Sequence, residues 1–111
     1  MAGRFVDILV DPAKLRNYVL SDGHARGRHK ARVFRSRLGL SARDTPMLRT
    51  ALLNAARDLQ DQLLLGDVDA HGQRYVLDFP VTTEAGTTTV RSAWIVLAGE
   101  DVLRFLTCYV L

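Results

Sequence analysis

The hydrophobic period of this chain changes once along its length, and that change limits the folds open to it. From Tyr75 onward, Tyr75, Leu77, Phe79 and Val81 alternate with Val76, Asp78 and Pro80, the period of a strand with one buried face. Glu84-Ala85-Gly86 reads as a hairpin turn, Thr87 to Leu97 as a strand, Ala98-Gly99-Glu100-Asp101 as a turn, and Val102 to Leu111 as a further strand. Upstream the spacing is helical. Asp11-Pro12 reads as an N-cap and first helical residue, opening a helix through Lys14, Leu15, Tyr18 and Val19 that Ser21-Asp22-Gly23 stops. Ala31, Phe34 and Leu38, with Val33 beside them, form the apolar stripe of a second helix ended by Gly39. Ser41-Ala-Arg-Asp44 resembles a capping box, and Met47 to Leu63 carries the strongest helical pattern, with Gly66 as its end. Phe5 to Val10 is a candidate short strand. Helices before strands imply an α+β fold over residues 1–111 as one domain: N-terminal helices packed on a C-terminal antiparallel sheet of three to four strands.

Charge is distributed unevenly. The formal net charge is only +3. Yet His24 to Arg37 holds five Arg, one Lys and two His with no acid, while four acids lie between Asp58 and Asp69. No acid sits at i,i+4 within the basic helix, so its cations repel one another without local compensation. That favours an anionic partner: nucleic acid, an acidic protein or a membrane surface. The narrow apolar stripe is needed for the core, which argues against the membrane. No apolar run approaches the roughly eighteen residues of a spanning helix, and Asp7 and Asp11 interrupt the start, so no secretory signal is read. The one cysteine, Cys108, permits no internal disulfide and fits a reducing, cytoplasmic setting.

Arg and Lys bind phosphates, and His titrates near neutrality. Together at a phosphodiester, such groups can perform metal-free acid–base cleavage: one takes the 2′-hydroxyl proton, one protonates the leaving oxygen, and a cation stabilises the phosphoryl charge. His24, His29, His71 and Cys108 lack zinc-ligand spacing, and paired carboxylates with metal spacing are absent. The expectation is no metal and no cofactor.

Several short patterns occur in order: Lys14-Leu15 with Tyr18-Val19-Leu20; His24, Gly27, Lys30-Ala31, Phe34 and Leu38-Gly39; Gly72, Tyr75 and Leu77; Val90, Ser92, Trp94 and Val96; Leu106-Thr107 and Tyr109. From about Lys14 onward this resembles small bacterial toxin domains of the barnase/EndoU/colicin D/RelE-like ribonuclease superfamily. These occur alone or as C-terminal tips of contact-dependent inhibition and other polymorphic toxins. Relatives commonly show Pro-Arg-Leu-hydrophobic-Thr before the end, where this chain has Leu103-Arg104-Phe105-Leu106-Thr107.

The resemblance implies a metal-independent endoribonuclease toxin leaving a 2′,3′-cyclic phosphate, acting on tRNA or other cellular RNA. It also implies an acidic antitoxin or immunity protein. The implied catalytic residues are His24, Lys30, Ser92 and Thr107. Arg26, Arg28, Arg32, Arg35 and Arg91 are the candidate RNA contacts. His29 and His71 are surface candidates, Tyr75 and Tyr109 are ambiguous between core and base stacking, and Trp94, Phe79 and Cys108 read as core. The initiating Met and lack of a secretion segment favour a free-standing toxin, with an effector tip as the other origin. A non-catalytic basic module binding nucleic acid or protein is the alternative reading, distinguished by steep salt dependence without turnover.

Overall fold

The computed structural model describes residues 5–21, 23 and 28–111. Strand β1 is Asp7–Leu9. Asp11 Oδ1 then accepts from Ala13 N at 2.9 Å, capping a single α-turn, α1, Pro12–Lys14. The chain continues as a π-helical turn, Leu15–Val19, closed by Leu20 N donating to Leu15 O at 2.8 Å. The wider turn lets Leu15, Val19 and Leu20 all reach the core.

Helix α2, Arg28–Leu38, buries Ala31, Phe34 and Leu38, the stripe its sequence prescribes. Gly39 takes φ +68° and ends it, with Gly39 N donating to Arg35 O, the single bond of an αL closure. Helix α3, Thr45–Asp58, buries Leu48, Leu52, Ala55 and Ala56. Then come β2, Leu64–Asp69, β3, Gly72–Thr83, β4, Gly86–Leu97, and β5, Val102–Val110.

The five strands form one sheet in the order β1-β5-β4-β3-β2. β2 to β5 are an antiparallel meander, and β1 pairs parallel to β5 through Asp7–Val102 and Leu9–Arg104. This corrects the expected three- to four-stranded C-terminal antiparallel sheet under N-terminal helices. The sheet is mixed, and its first strand precedes every helix. At three residues, β1 is too short to show an alternation of its own, so nothing in its sequence gives its partner or direction. β2 was hidden in the helical pattern. Leu63, Leu64 and Leu65 prolong the apolar run of α3, but the helix stops at Asp58 and a 3-10 turn, Gln60–Gln62, redirects the chain.

The helices cover one face of the sheet. Leu15, Phe34, Leu38, Leu48 and Leu52 pack there against Leu77, Phe79, Val90, Trp94, Leu103, Phe105 and Cys108. Trp94 and Phe105 meet edge to face at 5.4 Å. The other face is open, and its register is set by a bulge in β5. Trp94 pairs with Phe105 but Ala93 with Thr107, so Leu106 is an extra residue. In an unbulged strand of the same residues Thr107 and Tyr109 would follow Leu103 and Phe105 into the core. With the bulge they turn to the open face and Cys108 turns inward.

Candidate active site

β1 pairs with β5 only as far as Arg104, so beyond that point the edge of β5 is available to the helical segment. Lys14 uses it, donating from Nζ to Phe105 O at 2.9 Å. Around this bond lies a cleft of about 380 Å³ lined by Lys14, Tyr18, Lys30, Leu106 and Thr107. Two ammonium groups, a phenol and a hydroxyl thus share one concavity with an apolar floor. The Thr107 Oγ1 is buried and has no hydrogen-bond partner among the described residues. A buried hydroxyl in that state carries an uncompensated desolvation cost.

The cleft continues onto the open sheet face. Lys30 Nζ stands 5.0 Å from the centre of the Tyr109 ring, a cation–π contact. Tyr109 pairs across the sheet with Arg91, and Arg91 with Asp78. Arg91 grips Asp78 with two bonds, Nε to Oδ1 and Nη2 to Oδ2, each 2.8 Å. These bonds hold the Asp78 carboxyl below its usual range. They also raise the Arg91 guanidinium, to which Tyr109 adds a smaller push in the same direction. On the other side of the strand, burial pushes the Cys108 thiol up, against a lesser pull from Lys30, so Cys108 stays an uncharged packing residue.

Lys30 and Thr107 therefore come together, with Arg91 on the adjoining open face. Ser92 does not join them. It faces the helices, fully buried, with Oγ donating to Leu77 O at 2.7 Å and accepting from Trp94 Nε1 at 2.8 Å. Arg28, Arg32 and Arg35 lie exposed on α2. His24 and Arg26 lie outside the described residues. Arg104 pairs with Glu100, and no set of three His, Cys, Asp or Glu side chains gathers among the described residues. No helix among them is long and apolar enough to cross a membrane. A larger cleft of about 580 Å³ beside Met47 has Asp44 and Glu84 on its wall and no cation, the wrong sign for a phosphate.

The family described as a domain of unknown function, DUF6883, matches residues 4–111. The chain belongs to that family. No curated protein matches it. Among solved structures it is similar to a chain of a contact-dependent growth inhibition toxin–immunity protein complex from Klebsiella pneumoniae 342. The TM-score is 0.68 at 16% identity, over 92% of this chain and 98% of that one. At that identity the likeness is one of fold.

Three of the residues around the cleft were not singled out from sequence. Lys14 and Tyr18 stand four apart, one helical turn, within the first of the quoted patterns, and that spacing is the available signal. Asp78 gave none, because an acid at an outward strand position reads as ordinary solvation.

Proposed function

We propose that this chain is a metal-independent endoribonuclease, the toxin of a toxin–immunity pair. The observation that carries the reading is the convergence of Lys14, Lys30 and the unpartnered Thr107 hydroxyl in one cleft. Such a set suits a phosphate: the ammonium groups supply charge and the hydroxyl a directed donor. In the reaction the 2′-oxygen attacks the adjacent phosphorus and gives up its proton. The bond to the 5′-oxygen breaks, and that oxygen takes a proton. The products are a 2′,3′-cyclic phosphate and a 5′-hydroxyl end. Lys30 and Thr107 stabilise the phosphoryl oxygens, and His24, carried over from the family resemblance, exchanges the protons. Ser92 supports the scheme only by holding Trp94 and strand β3.

The similarity to a chain of a toxin–immunity complex supports the pairing with an immunity protein. Arg28, Arg32 and Arg37 on α2, exposed and without an ion pair among the described residues, fit an acidic partner. The test is cleavage of purified total RNA in EDTA by the chain and by His24→Ala, Lys30→Ala and Thr107→Val. Discrete cuts with cyclic-phosphate ends, reduced about a hundredfold or more in Lys30→Ala, are expected. Cleavage that needs a divalent ion, or that all three variants retain, would refute the reading. Expression without the immunity partner should arrest growth.

A binding module without turnover is favoured by one observation: Arg28, Arg32 and Arg37 project from α2 with no ion pair among the described residues. Under that reading RNA binds and remains intact, and His24→Ala changes nothing.

A further inference from the structure

At the sheet edge away from the cleft, all six residues of β2 are exposed, including Leu64 at 63%, Leu65 at 75% and Val68 at 71%. Sheet edges ordinarily carry charge or cover in place of large apolar side chains. A second bulge gives this surface its shape. Leu65 pairs with Tyr75 and Val68 with Gln73, so Gly66 and Asp67 together oppose Arg74. Leu65 and Val68, three apart, therefore face the same way, on the side of Tyr75 and the helix layer. Gln73 pins the bulge, its Nε2 donating to Gly66 O at 3.0 Å and to Arg74 O at 2.7 Å. The helix layer stops short of this strand: α3 ends at Asp58, and β2 packs chiefly on β3.

Shape and charge select what completes the layer. The bulge interrupts the ladder that an added strand would need. From Asp58 to Asp69 the chain carries four acids and no Lys or Arg, in a molecule of net charge +3. Asp69 is held by Arg74, while Asp61 and Asp67 are exposed and form no ion pair among the described residues. A second copy would bring these acids against their own equivalents, at a like-charge cost. We propose that the Leu65–Val68 face docks an amphipathic helix of a partner protein, with Lys and Arg flanking its apolar stripe. Because β3 and β4 separate β2 from the cleft-bearing β5, this partner leaves the cleft open and is distinct from an acidic inhibitor.

An amphipathic Leu/Lys peptide titrated into the isotope-labelled full chain tests this, with a Leu/Glu peptide of the same pattern as control. The whole molecule repels the Leu/Lys peptide, so binding reports local complementarity. Saturable shifts confined to Leu64–Asp69, Gln73 and Tyr75 are expected. Binding about tenfold or more weaker is expected for the Leu/Glu peptide, and for the Leu65→Lys/Val68→Lys double variant. Both positions are exposed, so the double variant should keep its melting temperature and any RNA cleavage. Shifts on α2 or at the cleft, equal affinity for the two peptides, or no saturable binding would overturn the proposal. So would a dimer in sedimentation equilibrium that the double variant abolishes, which would identify the occupant as a second copy.

Discussion

Thr107 and Ser92 are two hydroxyls on neighbouring strands with opposite situations. Ser92 has both a donor and an acceptor bond in the core. Ser92→Ala strands the Trp94 Nε1 donor and costs about 2 kcal/mol of stability; chemical denaturation should show that loss, with cleavage per folded molecule unchanged. Thr107 keeps a buried hydroxyl with no partner. Thr107→Val removes that unmet group and should stabilise the chain by about 1 kcal/mol while lowering cleavage. Opposite signs for stability and activity are the mark of a group retained for function, and calorimetry beside an RNA cleavage assay would read both. A loss of stability in Thr107→Val would mean that the hydroxyl is satisfied in solution. Asp78 gives a pH-dependent case. Its carboxyl lies below the ordinary value of 3.8 because of Arg91, so the pair adds stability above that value and loses it as pH falls through the lowered one. The pair is roughly a third exposed, so water screens it and the effect is small. Asp78→Asn should melt slightly below the parent at neutral pH, and the difference should close in acid titration as the lowered Asp78 carboxyl protonates.

At the scale of elements, the bulge in β5 decides which side chains can do chemistry. Leu106 is its extra residue. Deleting Leu106 makes Phe105 and Thr107 consecutive, so strict alternation returns with Thr107 and Tyr109 still on the open face and Cys108 still in the core. The deletion variant should keep its sheet circular dichroism and leave Cys108 unreactive toward a thiol reagent; a reactive Cys108 would overturn this register. This element also shows what the sequence reveals. The α2 stripe of Ala31, Phe34 and Leu38 is legible because burial alone dictates a helix's period, and the Asp11 cap because one side chain supplies one missing acceptor. The bulge is not legible, since Leu106 carries neither a glycine nor a proline to mark it. β2 is not legible either: with every residue exposed, no buried face imprints a period of two. Lys30 and Thr107 were singled out through patterned resemblance, yet their meeting in one cleft depends on a strand register that no local signal encodes.

Across the whole molecule, charge is segregated by what each cation already holds. On the sheet Arg74, Arg91 and Arg104 are each tied to a carboxylate, Asp69, Asp78 and Glu100. On α2, Arg28, Arg32 and Arg37 are exposed and form no ion pair among the described residues. A polyanion displaces counterions only from charge that is not already neutralised. RNA should therefore reach the cleft along α2 and around the free edge of β5, rather than across the sheet. Arg28→Ala and Arg32→Ala should each weaken RNA binding regardless of sequence and reduce the slope of log affinity against log salt by about one. Arg74→Ala and Arg104→Ala should leave that slope in place, because each removes a cation that its own carboxylate already balances. Measuring RNA affinity by fluorescence anisotropy over a salt series would separate the two sets. An unchanged slope in the helix variants, with a fall in the sheet variants, would put the RNA path on the open face instead.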